Sequence, residues 1–261
     1  MIEYLIPATV EEAVKMGSQK GAAYIGGGTW LNSCRRDDIT SFVSLEALGL
    51  DGISNKEGAF IIGAATRFQQ IQDDARLPKA LREAAGCTAS RSLRNMITLG
   101  GDVRLNDPGS CMVPAIMVLG GEVITASSGP GDIGVLQAGT GLITEVRFPD
   151  DGRLSDLRCI SRTSHSRRNL VCAVSLLLKN DRMENVRIVL GDCVDQARRY
   201  HVIEENLNGK TPEPAEKIEQ MVSECFTPKS DYHASAGYKL YMAGIILADL
   251  LIDTYKRGVD T

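Results

Sequence analysis

The chain has 261 residues, 43% hydrophobic and 24% charged, and its 29 Lys plus Arg against 33 Asp plus Glu leave a net charge of −4. That length suits about two domains of roughly 100–200 residues, and a mildly acidic chain without a basic block is a poor match for nonspecific nucleic-acid binding. The most apolar run, 243–252, is interrupted by Asp249 and is shorter than the roughly 20 residues of a bilayer span. The opening residues lack the basic flank and apolar stretch of a secretion signal, so a cytoplasmic location with no membrane partner is expected.

Residues 2–6 read as a short strand ended by Pro7, and Thr9 with Glu12 forms a capping-box start for a helix to about Met16. Strands over 22–25 and 42–45 follow, which predicts a small βαβ unit with a parallel pair. A strand at 59–66 precedes helical periodicity over 67–86, broken near Pro78, and 92–103 is polar without a clear period. An apolar segment at 112–119 leads to strands at 122–125, 142–148 and 157–160, and 169–178 with 186–190 reads as a β-hairpin turning at 179–182. From Asp195 onward the pattern is helical: near 195–207, then a Pro-punctuated linker at 211–214, then 215–225 and 235–257. The last helix aligns Tyr238, Tyr241, Met242, Ile245, Ala248, Leu251, Ile252 and Tyr255 as one docked stripe. The expected class is α+β, with an N-terminal part to about residue 163 and a C-terminal part of hairpin and helices.

Cys34, Cys87, Cys111, Cys159, Cys172, Cys193 and Cys225 are scattered and include no CxxC pair. They read as reduced core or surface residues rather than a zinc or iron–sulfur site. His165, His201 and His233 lack metal-site spacing, with His165 the best outside candidate. Arg167-Arg168 and Arg198-Arg199 read as solvated or interface charges.

Chemistry concentrates in two loops. Gly26-Gly27-Gly28-Thr29 follows an apolar strand directly, and chain without Cβ atoms brings amide N–H groups close to a phosphate or diphosphate. The stretch from Arg94 to Asp102 holds a second glycine pair, Gly100-Gly101, beside Thr98 and the Asp102 carboxylate, a set suited to phosphate oxygens and sugar hydroxyls. Two such loops fit an extended dinucleotide without specifying which one.

The same residues resemble a known family. Gly26-Gly27-Gly28-Thr29-x-Leu31 resembles the A/G-G-G-T-x-L loop of the FAD-binding medium subunits of molybdenum hydroxylases, the xanthine dehydrogenase and carbon monoxide dehydrogenase family. Leu93-Arg94-Asn95-x-Ile97-Thr98-Leu99-Gly100-Gly101 is similar to that family's second loop, and Leu142-Ile143-Thr144-Glu145-Val146-x-Phe148-Pro149 is similar to its L-L/I-T-E strand. The resemblance covers nearly the whole chain. It implies a two-lobed FAD-binding domain over 1–163, with a small βαβ lobe to about 55 and a larger mixed lobe over 56–163. A C-terminal α+β domain over 164–261 would follow.

The resemblance further implies that Ile25, Gly26, Gly27, Gly28, Thr29 and Leu31 wrap the FAD diphosphate and neighbouring sugar. Thr98, Gly100, Gly101 and Asp102 would meet the next stretch of the cofactor. Leu142 and Ile143 would lie against the adenine or isoalloxazine region, and Arg158 near the flavin edge. Three departures stand out. Ser110 or Cys111 falls where relatives place a sugar-binding Asp, Trp30 replaces a more usual Asn or Asp, and 86–90 offers no aromatic to stack on flavin. The implied partners are a molybdopterin-binding large subunit and a small subunit with two [2Fe–2S] clusters, with NAD⁺ as one possible electron acceptor. A self-contained FAD oxidoreductase of the same broad fold and a scaffold that has lost its flavin are the alternatives.

Overall fold

The structure, a computed structural model, describes residues 2–33, 37–88, 90–127, 129–133, 141–163 and 166–260. The first lobe comprises β1 (Glu3–Leu5), α1 (Val10–Gly17), β2 (Ala22–Ile25), α2 (Thr29–Ser33) and β3 (Ser41–Ser44). Its three strands are parallel in the order β1-β3-β2, with β3 inserted between the two earlier strands. Thr9 Oγ1 accepts from the Glu12 amide at 3.2 Å and so starts α1 where the capping pattern predicts. Ala13 and Val43 form the lobe's core together with Leu142, which arrives from far along the chain.

The second lobe is built on a five-stranded antiparallel sheet of β4 (Ile53–Lys56), β5 (Ala59–Gly63), β6 (Glu122–Thr125), β7 (Gly131–Asp132) and β8 (Ile143–Pro149), in the order β4-β5-β8-β6-β7. Between β5 and β6 run α3 (Phe68–Asp73), α4 (Lys79–Cys87), α5 (Arg91–Arg94), α6 (Leu99–Leu105) and α7 (Met112–Leu119). Pro78 stands at the N-cap of α4. Its ring excludes the preceding residue from helical geometry, which splits the 67–86 periodicity into two helices. The polar stretch without a period at 92–103 contains α5 and the start of α6, each too short to show one. Seven of the eight residues of α7 are buried, as expected of a helix apolar on every side.

The last unit is an antiparallel sheet, β12-β11-β10-β9, made from β9 (Leu154–Ser161), β10 (Arg168–Lys179), β11 (Arg182–Gly191) and β12 (Arg198–Arg199). Asn180 and Asp181 both adopt left-handed backbone, with φ of 52° and 56°. This gives the primed two-residue turn that matches strand twist, placed where the hairpin is predicted. Helices α8 (His201–Leu207), α9 (Ala215–Cys225) and α10 (Ala236–Val259) complete the chain.

The sheet is buried on both faces. Val171 and Ala173 of β10 join the second lobe's core, while Leu170, Cys172, Val174 and Leu176 join the core under the C-terminal helices. Two expectations, on the chain after Asp195 and on the facing of α10, are corrected. The chain after Asp195 is not wholly helical, because Arg198–Arg199 pairs with β11 as β12. The dividing line drawn at residue 163 falls between β9 and β10, which are hydrogen-bonded neighbours. The buried face of α10 runs through Ala243, Leu247, Leu250 and Leu251, leaving Tyr238 and Tyr241 of the predicted stripe exposed.

Candidate cofactor site

Strand β2 ends at Ile25, whose carbonyl accepts from the Leu45 amide at 3.1 Å, and the next three residues are the glycines. Gly28 has φ +67°, left-handed backbone that a side chain would strain. Its carbonyl accepts from Asn32 N at 2.9 Å and closes the first turn of α2, which carries Thr29 and the half-buried Leu31. None of the amides of Gly26, Gly27 and Gly28 donates to a protein acceptor among the described residues. A Cβ added to Gly27 would stand 1.7 Å from the Met96 carbonyl oxygen, and one on Gly26 would stand 2.9 Å from Thr98 Oγ1. Gly26 and Gly27 are therefore required by contact between the two loops and Gly28 by its own backbone, and the free amides of Gly26 and Gly27 lie along the seam where those loops meet.

The second loop is anchored from behind. Phe68 N donates to Ile97 O at 3.1 Å, Leu99 N to Thr66 O at 2.9 Å and Gly100 N to Ala64 O at 2.7 Å. The buried Leu99 side chain fixes the start of α6. Thr98 Oγ1 caps α6 by accepting from Gly101 N at 3.3 Å. The amides of Gly100 and Gly101 are thus committed inside the protein and do not face a ligand as the sequence suggests. What the loop still offers is the Thr98 hydroxyl proton and one oxygen of Asp102. The other oxygen, Oδ2, accepts from Ser110 Oγ at 2.6 Å. Burial pushes the Asp102 pKa up to about 6 against the Ser110 hydrogen bond, which lowers it.

Ser110 does not face the seam as a free hydroxyl. It is buried, and its Oγ accepts from Met112 N at 3.1 Å and Val113 N at 3.2 Å, so it caps α7 while donating to Asp102. Its contribution is to hold Asp102 in place. Arg67, which the sequence reading passes over, donates from Nη1 to Met96 O at 2.5 Å and approaches within 3.0 Å of the position a Gly27 Cβ would take. A guanidinium therefore stands where both loops converge. Its only sequence signal is position, immediately before α3.

The remaining expected residues lie elsewhere. Leu142 is buried in the first lobe's core and Ile143 in the second lobe's, so the start of β8 links the two cores. Arg158 points from β9 to the C-terminal helix, donating from Nη2 to Asp253 Oδ2 at 2.6 Å, with Asp249 3.9 Å from Nη1. Successive side chains of a strand alternate, so Arg158 takes the face opposite Leu157, one residue earlier, which joins the second lobe's core. His165 lies outside the described residues. The cysteines, scattered in sequence, partly converge: Cys87, Cys111 and Cys159 neighbour one another, and those neighbours together with the Arg168 guanidinium hold the Cys159 thiol below the ordinary thiol range. Cys87 and Cys111 are pushed up by those same contacts and by burial. Among the described residues no group of three His, Cys, Asp or Glu could hold a metal ion, and no helix is long and apolar enough to cross a membrane.

A loop of unspent amides facing an anchored helix start with a half-buried carboxylate defines a two-lobed protein for a nucleotide cofactor. Residues 1–149 match the family described as FAD binding domain in molybdopterin dehydrogenase, and residues 160–254 match the CO dehydrogenase flavoprotein C-terminal domain. The chain belongs to this family of FAD-binding medium subunits of molybdenum hydroxylases. It is 33% identical over 265 residues to the protein named uncharacterized protein YgfM of Escherichia coli K12, covering 99% of this chain and 98% of that one. It is 27% identical over 280 residues to the carbon monoxide dehydrogenase medium chain of Hydrogenophaga pseudoflava, covering 98% and 97% of the two chains. The fold superposes on a chain of the Cu,Mo-CO dehydrogenase crystal structure with a TM-score of 0.88, at 22% identity and 98% coverage of both. FAD fits the residues present: three free amides suit a diphosphate, and the Thr98 hydroxyl and open Asp102 oxygen suit sugar hydroxyls.

Proposed function

We propose that this chain is the electron-transfer subunit of a molybdenum hydroxylase of the xanthine or carbon monoxide dehydrogenase type. In this reading it takes electrons from the [2Fe–2S] clusters of a small partner subunit while a molybdopterin-bearing large subunit oxidises the substrate, and NAD⁺ or another acceptor receives the electrons. The chain alone is not expected to oxidise that substrate. FAD, when bound, supplies a centre that exchanges single electrons for a pair.

The chain's own residues bind and orient the cofactor. The Gly26, Gly27 and Gly28 amides would hold the diphosphate, with Ile25, Thr29 and Leu31 shaping the loop around it. Thr98 and Asp102 would hold sugar hydroxyls. Arg67 would add positive charge beside the diphosphate, and Ser110 would keep Asp102 aimed. Gly100 and Gly101 act through packing and capping, and Leu142 and Ile143 through the two cores they join. Arg158 braces α10. The observation that carries the reading is the set of unspent glycine amides on a seam closed by a second, rigidly anchored loop. We place the division between the cofactor domain and the C-terminal domain near residue 150, because β9 pairs into the later sheet.

The decisive experiment mixes the FAD-loaded chain, in rapid-mixing absorbance, with a reduced [2Fe–2S] partner subunit and, separately, with NADH alone. Fast bleaching of the flavin by the reduced iron–sulfur protein is expected. Bleaching by NADH at full speed, with none by the iron–sulfur protein, would show a self-contained reductase instead. A chain that takes up no flavin under any loading condition would be a scaffold.

A further inference from the structure

Where β9 ends and α10 begins, the C-terminal domain holds an open cavity of about 380 Å³. Arg162 and Asn169 line it from the sheet, and His233, Ser235 and Tyr238 line it from the loop and first turn of the helix. Asn169 is only 3% exposed; its Oδ1 is shut off inside without a partner, and its Nδ2, which has no protein acceptor among the described residues, is the amide group left to meet a ligand. Folded chains rarely leave a buried amide unpaired unless something else completes it. Arg162 is exposed and has no ion pair among the described residues.

The opposite wall is rigidly built. Lys239 is completely buried and donates from Nζ to Asp192 O at 2.7 Å and to Asp231 Oδ2 at 2.9 Å. Asp231 Oδ1 accepts from His233 N at 2.7 Å and Ala234 N at 2.9 Å. The Asp231 charge is therefore neutralised and both its oxygens are occupied. The field in the cavity is left to the Arg162 guanidinium and the positive end of the 24-residue α10. Tyr238 presents a ring that is 45% exposed, Tyr241 lies one turn further along α10, and Tyr232 packs edge-on against His233 at 5.2 Å between centroids. The exposed Tyr238 ring beside an unpaired cation and the unpaired N–H of the buried Asn169 amide marks a binding surface for a ligand that is flat at one end and anionic at the other.

We propose that this cavity binds a mononucleotide-sized aromatic anion, its phosphate held by Arg162 and Asn169 Nδ2 and its base stacked on Tyr238. The volume lies at the small end of ligand pockets, which fits a mononucleotide or one end of a dinucleotide and not a whole dinucleotide. The inference uses none of the glycine-loop residues, so it stands or falls independently of the flavin reading. Calorimetric titration of the full chain as purified with AMP, NAD⁺, adenosine and inorganic phosphate tests it. Saturable AMP binding is expected, with Arg162→Gln and Tyr238→Ala each weakening it about tenfold or more and neither changing the flavin content. NAD⁺ binding with the same sensitivity to both variants would assign the site to a dinucleotide end. Binding of AMP alone would assign it to a free mononucleotide. The proposal is overturned if no nucleotide binds saturably, if adenosine binds as tightly as AMP, or if both variants bind AMP like the parent chain.

Discussion

Asp102 keeps a carboxylate where burial favours the neutral acid, and only Ser110 among the described residues donates to it. Its pKa in the folded chain is raised from 3.8 to about 6. Between those values the folded chain binds more protons than the unfolded one, so stability falls as pH rises from about 4 to about 6 and stays reduced at neutral pH. Full conversion of that shift gives about 3 kcal/mol; residual solvent contact reduces the expectation to on the order of 1–2 kcal/mol. Asp102→Asn, which keeps an acceptor for Ser110, should therefore raise the Tm of the flavin-free chain at pH 7 by roughly 2–8 °C. It should also flatten the stability profile between about pH 4 and 6. A lower Tm at pH 7 would show that the carboxylate is stabilised by something this reading omits. The glycines at 26 and 27 are legible in sequence because only residues without Cβ tolerate such close approach. Arg67 is not legible, since its meaning depends on Met96 arriving beside it across a fold contact.

At the scale of elements, those with an explicit stop or start are the ones a sequence shows. Thr9 starts α1, Pro78 starts α4, and the 179–182 turn closes the β10–β11 hairpin. Of the elements of two to five residues, β1, β2, β3 and β6 show as short apolar runs, whereas α2, β4, β7 and β12 carry no such run and exist only because neighbours pair with or pack on them. The facing of α10 is likewise illegible, because apolar residues occupy more than one side and the partner sheet selects Leu247 and Leu251 over Tyr238 and Tyr241. The hairpin turn gives a direct check. Asp181 holds left-handed backbone that glycine adopts freely, and the hydrogen bond it accepts from Tyr255 Oη uses its carbonyl oxygen rather than its side chain. Asp181→Gly should stabilise the chain by about 0.5–1 kcal/mol in urea unfolding. Destabilisation of that size would mean that the aspartate side chain contributes to the turn.

For the molecule as a whole, the C-terminal sheet is the shared wall of two cores, with α4 and α7 against one face and the C-terminal helices against the other. Asp156 ties this assembly together: Lys79 of α4 donates to its Oδ2 at 2.6 Å and Arg257 of α10 to the same atom at 3.1 Å. Its side chain is 3% exposed, so removing it breaks both ion pairs at once. Asp156→Ala should cost on the order of 3 kcal/mol, read as a lower denaturant midpoint with an unchanged slope. A changed slope, or two transitions, would indicate that the two cores unfold separately. Such long-range pairs, 77 and 101 residues apart in sequence, are beyond what local pattern conveys.

The central claim is that the free Gly26–Gly28 amides, at and beside the seam between the two loops, hold FAD. Flavin absorbance per folded chain, compared between the natural sequence and Gly27→Ala after reconstitution with FAD, tests it most directly. A methyl at that position meets the Met96 carbonyl and forces the loops apart. The account predicts near-equimolar flavin in the natural chain and almost none in the variant, with far-ultraviolet circular dichroism unchanged. Equal flavin in both, with both folded, would contradict it.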